Sequence, residues 1–301
     1  MKSTLRRTWA EIDLDAIRHN YEVLRRRIGE DVKFLGVVKA DAYGHGAVHV
    51  ARTLQELGAD YLGVSSLDEA MELRANGIVM PILILGHTPA DQVPNLITNN
   101  ITQAVTCLAK AHEYNEAAAR FGARVRVHIK VDTGMSRLGV LCAGRHFDTG
   151  VNGIVDSCNM PNLEVEGIFT HFAVADETDA DDVDFTKRQL ELFKAAVSAV
   201  EQRLGRRIAI RHCANTGAVA LYPETYMDMV RPGLLLTGWY ASDEVSRERI
   251  KLQPCVKLKA RLGNVMPVKA GEGVGYGFTY HLPEDTLVGV LPLGFSDGFT
   301  R

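Results

Sequence analysis

Apolar residues in this chain fall into short, nearly continuous runs, each followed by a longer segment patterned at three- and four-residue spacing. VKFLGVVKA precedes HGAVHVARTLQELG, YLGVSS precedes LDEAMELRANG, and PILILG precedes the DQVPNLI region. TQAVT is followed by AKAHEYNEAAARFG, VRVHIKVD by a helix near residues 144–158, and LEVEGIFTHFA by DFTKRQLELFKAAVSAVEQRLG. IAIRHCAN leads into TGAVALY, and MDMVRPGLLLTG closes the series. Strands that are apolar throughout, rather than at every second position, are expected where helices cover the sheet. Eight such strands alternating with helices predict a closed (β/α)8 TIM-type barrel in preference to an open doubly wound sheet.

Beyond about residue 245 the pattern changes. CVKLKARLGNVMPVKAGEGVGYGF and TLVGVLPLGFSDG read as strands joined by Gly/Pro turns with no helix between them. The expected organisation is an N-terminal strand over residues 1–12 (TWAEIDL) packing on a β-rich C-terminal domain, a barrel over 13–245, and the start of that β domain over 246–301. The chain stops on GFSDGFTR in mid-strand context, which reads as a truncated β domain.

Composition narrows the function classes. A net charge of −3 gives no electrostatic case for nucleic acid or an anionic membrane surface. No stretch approaches the roughly 18 consecutive apolar residues of a membrane span, and MKSTLRRTWAEIDL lacks the apolar core and small-residue cleavage site of a signal peptide. The five cysteines (Cys107, Cys142, Cys158, Cys213 and Cys255) are scattered, with neither metal-ligand spacing nor a disulfide framework. Reduced thiols in the cytoplasm are the expectation, with no metal.

Barrel enzymes place their chemistry in the loops after the strands. Here the strand ends carry Lys39, Ser65 and Ser66, His87, Lys130 with Asp132 and Arg137, His171, Asn215 with Thr216, and Arg231 with Gly233. An isolated strand-end lysine usually keeps its amine in water. Lys39, however, is followed by Tyr43 and by Gly44-His45-Gly46, which read as a helix start whose glycines let backbone approach a ligand. Its amine could form a Schiff base with an aldehyde. The loops after strands seven and eight are where barrels tend to hold phosphate. There, Asn215-Thr216-Gly217 opens a helix with Thr216 as its N-cap-like donor, and Arg231-Pro232-Gly233-Leu234 follows the last strand. An amine at strand one and a phosphate cradle at strands seven and eight fit pyridoxal 5′-phosphate. A sugar-phosphate aldolase fits that much equally.

VVKADAYGHG, HIKVDTGMSRLG, THFA, HCANTGA, VRPG and VGYGFTY resemble, in order, the motifs of the alanine racemase family. The resemblance runs from TWAEIDLDAIRHN to the last residue. It implies a fold-type III pyridoxal-phosphate enzyme, a barrel followed by a β domain, acting as a homodimer with shared active sites and supplying D-alanine for peptidoglycan. Lys39 would carry the cofactor and act as the base on one face of the substrate Cα. Tyr276 would come from the partner subunit as the acid/base on the other face. Arg231 would contact the pyridine nitrogen, supported by His212, and His171 would pack against the ring and link Tyr276 to Arg231. Arg137 would hold the cofactor's phenolic oxygen and the substrate carboxylate, oriented by a carboxylated Lys130. Asn215 belongs to the same cofactor loop; Tyr43, Thr216, Gly233 and Leu234 match phosphate contacts, the last two through backbone N–H.

Departures from the family pattern concern the approach to the site. Phe295 stands where the family usually has tyrosine, Arg301 matches an arginine of the same corridor, and a Met-Asp pair and a tyrosine of the substrate pocket are expected beyond it. Three alternatives remain: a racemase for serine or another amino acid, a decarboxylase of the same fold type, and a barrel that carries pyridoxal phosphate without turnover. Arg231 in place of a carboxylate at the ring nitrogen argues against the decarboxylase. Each family role also has a bland rival: Tyr276 as a core tyrosine, His171 as a satisfied barrel histidine, and Lys130 paired with Asp132.

Overall fold

The structure is a computed structural model that describes residues 7–245, 247 and 250–299. Its backbone contacts form two units, one spanning Leu14–Cys255 and the other comprising the chain before it and the chain from Val256 onward. Strand β1 (Thr8–Ile12) belongs to the smaller unit.

The larger unit is the barrel. Its strands are β2 (Lys33–Val37), β3 (Tyr61–Val64), β4 (Ile82–Ile84), β5 (Ile101–Val105), β6 (Val125–Asp132), the short β7 (Val140–Leu141), β8 (Leu163–Phe169), β9 (Ile210–His212) and β10 (Met229–Val230). They are hydrogen-bonded in the order β10-β2-β3-β4-β5-β6-β8-β9, all parallel, with β7 added beside β6. The remaining seam is nearly closed by Asp228 N–H donating to the Arg211 carbonyl (3.1 Å) and Arg231 N–H donating to the Ala214 carbonyl (3.0 Å). The expected eight-stranded barrel is therefore what the chain forms.

Alternation along each strand separates two cores. Outward residues such as Phe34, Leu62, Ile82, Val127 and Ile129 join the large cluster beneath the helices. Inward residues Leu35, Val37, Leu83, Ile210 and Met229 fill the barrel lumen. On β6 the outward set is Val125, Val127, Ile129 and Val131, so Arg126, His128, Lys130 and Asp132 share the inward face. Strand β8 carries one extra residue there: His128 pairs with Gly167 although Val127 pairs with Val165, and Glu166 is the insertion.

In the smaller unit β1 pairs antiparallel with β11 (Val256–Ala260), from Thr8↔Ala260 to Ile12↔Val256. Strand β12 (Asn264–Val268) pairs with β15 (Thr286–Val290), and β13 (Gly273–Val274) with β14 (Tyr280–His281). The strand within TWAEIDL thus joins the β-rich unit, and among the described residues no α-helix interrupts its later strands, only the short 3-10 turns Tyr276–Phe278 and Phe295–Asp297.

One element departs from expectation. The helix expected to begin at Tyr43 and Gly44 begins at Ala47. Before it, Lys39–Gly44 makes a left-handed turn in which Ala40, Asp41, Ala42 and Tyr43 all have φ between 51° and 58°. Left-handed backbone costs roughly 1–2 kcal/mol per non-glycine residue. Hydrogen bonds hold the turn in place. Ala42 N–H donates to the Val38 carbonyl (2.9 Å) and His45 N–H to the Asp41 carbonyl (2.9 Å). The Asp41 carboxylate accepts from Ala47 N–H (2.7 Å), and Glu69, from the helix Leu67–Ala75, accepts from Ala40 N–H (2.8 Å). The residues of ADAY have no glycine to announce such a turn, so only the assembled loop imposes it.

Ala40 is exposed, which allows the backbone term to be read without a packing change. Ala40→Gly is expected to leave stability in urea unfolding unchanged or slightly raised, because relief of strain offsets glycine's extra unfolded-state entropy. Ala40→Val is expected to lower it by about 1–2 kcal/mol.

Candidate active site

The turn after β2 stands beside the loop after β10. Val37 N–H donates to the Pro232 carbonyl (3.0 Å), two residues before Lys39 and one before Gly233. A Cβ on Gly233 would overlap the Tyr43 hydroxyl, so the absence of a side chain there is what lets that hydroxyl approach the backbone. Thr216 Oγ1 reaches the same point from the helix Thr216–Leu221 and accepts from Gly233 N–H (3.0 Å). The N-cap of that helix is Asn215, whose side chain accepts from Ala218 N–H (3.1 Å). Thr216, expected in that capping role, occupies the first helical position instead and turns its hydroxyl to Gly233. Leu234 begins the short 3-10 turn Leu234–Thr237. Tyr43, Thr216 and Gly233 therefore meet as a small polar cradle next to the strand that leads into Lys39, and burial raises the Tyr43 phenol above its ordinary pKa.

Arg231, 3% exposed, lies at the centre of the rim. Its Nη1 donates to His212 Nδ1 (2.9 Å), and its Nη2 donates to the carbonyls of Thr170 (2.8 Å) and Cys213 (3.1 Å) and to His171 Nδ1 (3.2 Å). A guanidinium only donates, so both imidazoles must accept through Nδ1 and stay neutral. Burial first, and the Arg231 charge second, hold His171 and His212 well below the usual histidine value. Burial lowers Arg231 itself to about 10, which leaves it charged at neutral pH. The expected contact between His212 and Arg231 is present, and His171 joins it.

Lys130 lies on β6 facing the same space, with Nζ 5.6 Å from the Phe169 ring centroid. That ring stacks on His212 at 4.7 Å and carries Arg231 at 5.4 Å. Burial, followed by the charges of Arg137 and Arg231, lowers the Lys130 amine to about 8. A quiet pairing of Lys130 with Asp132 is not what forms. The Asp132 carboxylate takes the N–H groups of Gly134 (2.8 Å), Ser136 (3.1 Å) and Arg137 (3.2 Å), shaping the loop that carries Arg137. Gln189, from the helix Ala180–Leu204, ties this loop to the next by donating to Thr133 Oγ1 (3.2 Å) and the His171 carbonyl (3.3 Å).

The rim thus gathers Lys39, Lys130, Arg137 and Arg231 around imidazoles kept neutral, and Lys39 and Lys130 are both near enough to depress His171 further. Cations concentrated this way call for an anionic occupant. Tyr276 belongs to the other unit, in the turn Tyr276–Phe278, and is 89% exposed, so it is no core tyrosine. Phe295, in the turn Phe295–Asp297, is also exposed; Arg301 lies outside the described residues. The residues that sequence reasoning missed are Phe169, Gln189, Glu69 and His128. Only His128 left a signal, since it shares the inward parity of Lys130 on VRVHIKVD.

An amine and an anion cradle on one barrel rim suit a class of enzyme that binds a small phosphorylated molecule beside a reactive lysine. The model of the alanine racemase N-terminal domain matches residues 12–241, and that of the C-terminal domain matches residues 255–301. The alanine racemase of Desulforamulus reducens is 43% identical over 293 residues, which cover 97% of this chain and 77% of that relative. The structure of alanine racemase from Clostridium difficile 630 superposes with a TM-score of 0.89 at 39% identity, covering 99% of this chain and 76% of that one. A histidine racemase from Leuconostoc mesenteroides superposes with a TM-score of 0.83 at 32% identity, covering 99% and 77%. The chain belongs to the alanine racemase family, a family of isomerases.

Four of the five cysteines are buried and all five are free thiols, and no helix among the described residues is long and apolar enough to cross a membrane. Among the described residues no group of three or more His, Cys, Asp or Glu side chains is arranged to hold a metal ion.

The Lys130 amine gives this site a pH signature. Its folded value of about 8 lies below the ordinary 10.5, so between those limits the unfolded chain binds the extra proton and stability rises with pH. In bicarbonate-free buffer, the stability of wild type relative to Lys130→Met, read by urea unfolding, should rise across that window by about 1–3 kcal/mol. The buried thiols of Cys142, Cys158 and Cys213, whose pKa values burial raises, act in the opposite direction in both chains and cancel from the comparison.

Proposed function

We propose that this protein interconverts L- and D-alanine, using pyridoxal 5′-phosphate. The observation that carries the proposal is the join between the Lys39 turn and the Tyr43–Thr216–Gly233 cradle. It puts the Lys39 amine beside a group of polar side chains and backbone N–H on one rim, near the cations Lys130, Arg137 and Arg231. The residues fit such a cofactor. Lys39 Nζ would bind its aldehyde carbon, and Tyr43, Asn215, Thr216, Gly233 and Leu234 would form the phosphate loop. Arg231 would face its ring nitrogen. When bound, the cofactor supplies an electron sink that acidifies the substrate Cα–H.

The chain's own groups then divide the work. Arg231 cannot give up its proton to a ring nitrogen, so it would hold that nitrogen without protonating it, which would weaken the sink and limit side reactions. Arg137 orients the substrate carboxylate. Lys39 Nζ and the phenol of Tyr276, from a partner subunit, hold or move the proton at the two faces of Cα. Inversion requires departure on one side and arrival on the other. The exposure of Tyr276 supports such a role, and with it a homodimer. His171, which accepts from Arg231, would link Tyr276 to it. Lys130 is suited to carboxylation: its neutral amine adds to the carbon of CO2, one proton leaves to solvent, and the resulting carbamate anion orients Arg137 instead of repelling it. A cytoplasmic enzyme supplying D-alanine for peptidoglycan is the biological role that follows.

A second reading is a racemase for another amino acid, favoured by the likeness to the histidine racemase. Comparing turnover on alanine, serine, lysine and histidine separates the two.

The primary test is incubation of L-alanine with the chain and pyridoxal phosphate in heavy water. Deuterium at Cα with inversion supports racemisation, whereas bound cofactor with neither exchange nor inversion means a carrier or an active site that needs more of its relatives' length than this chain spans. Lys39→Ala is expected to abolish both the covalent chromophore and exchange. Tyr276→Phe should keep the chromophore and slow the reaction from L-alanine by about a hundredfold. Full activity of that variant in both directions would remove Tyr276 from the mechanism.

A further inference from the structure

Behind Arg231 a second buried contact extends the network through the barrel. His212, whose Nδ1 accepts from Arg231, has its Nε2 at 2.9 Å from His128 Nδ1. Both histidines are fully buried, and the rings meet edge-on at 69°. His128 Nε2 finds no hydrogen-bond partner; Glu166 Oε2 lies 4.0 Å from it. Glu166 is in turn held by Thr102 Oγ1 (3.2 Å) and Arg126 Nε (3.4 Å), while Tyr61 lies 6.1 Å from the His128 ring.

Local structure is adapted to this imidazole. A Cβ on Gly167 would sit 2.5 Å from His128 Nδ1, so only glycine leaves room for the ring. The extra residue that β8 inserts opposite His128 is Glu166 itself.

We infer that His128 is a positioning residue for Arg231, acting through a one-way chain of N–H donors, Arg231 to His212 to His128 and on towards Glu166. Arg231 can only donate, so His212 Nδ1 is bare and its proton is on Nε2. That proton is donated to His128, whose Nδ1 must be bare and whose own proton then points at Glu166. Reversing any link would set two donors or two acceptors face to face between fully buried rings. Burial, with Arg231 adding to it, holds His128 down to about 3, in keeping with a neutral ring. The chain thus locks the tautomer of His212 and with it the plane and place of the guanidinium. Its consequence for catalysis rests on Arg231 facing the cofactor, whereas its tautomers do not.

Histidine-labelled protein, the full chain with and without added pyridoxal phosphate, would be examined by nitrogen-15 NMR. His128 and His212 should each show a bare Nδ1 and a protonated Nε2 from neutral pH downward, in both states. A doubly protonated ring, or an Nδ1-protonated tautomer in either residue, would overturn the inference without any substitution. His128→Leu should disturb the His212 Nε2–H signal and lower kcat about tenfold, with the bound chromophore retained. His128→Asn, which keeps an acceptor near the Nδ1 position, should restore both. A His212 signal unchanged in His128→Leu would also overturn it. Failure of the wild-type chain to bind cofactor would instead sink the proposed function and leave the tautomer result to decide this inference alone.

Discussion

A guanidinium buried to 3% exposure governs this barrel. Removing such a charge from water is unfavourable by several kcal/mol unless acceptors replace the lost hydration. Arg231 obtains them from two backbone carbonyls and two imidazole nitrogens at the ends of β8 and β9. Those contacts dictate that His171 and His212 remain neutral, and Phe169 stacks on His212 with Arg231 and Lys130 5.4 and 5.6 Å from its ring centroid, while Leu35, Val37 and Met229 belong to the apolar part of the lumen.

The rim has a second tension, the accumulation of like charge. Lys130 loses proton affinity because it is buried and because Arg137, Arg231 and Lys39 crowd it, and Asp132, whose carboxylate is committed to three backbone N–H groups, offsets this only in part. A site of this kind is more stable with anions bound than without. The phosphate and carboxylate groups of the proposed cofactor and substrate, and a carbamate on Lys130, are all of that sign. The left-handed turn after Lys39 is comparable: its backbone is unfavourable in isolation and is held by Asp41 and Glu69, so that Tyr43 reaches Gly233. Strain and charge are both stored where the chemistry is proposed to occur.

Much of the site was legible because strand ends are legible. Runs such as VKFLGVVKA and VRVHIKVD locate the ends of β2 and β6, and hence Lys39 and Lys130, while HCANTGA and VRPG place Thr216, Arg231 and Gly233 on adjoining loops. Capping was less legible, since Asn215 and Thr216 are both good N-caps and the choice between them depends on Gly233, 17 residues away. Glu69 and Gln189 look like ordinary polar residues of surface helices. Their partners, Ala40 N–H and the Thr133 and His171 loops, are near them only in the folded barrel.

The sequence by itself determined the alternation of strand and helix, the count of eight, the β-rich unit with its early strand, and the set of charged residues at the rim. These follow from periodicity, which is local and repeats along the chain. Tertiary structure alone decided the handedness of ADAY, the engagement of Asp132 with its own loop, and the line from Arg231 through His212 and His128 to Glu166. Each of these depends on which groups are left facing one another after the sheet has nearly closed, where burial makes every unpaired donor or charge expensive and the geometry leaves a single way to pair them.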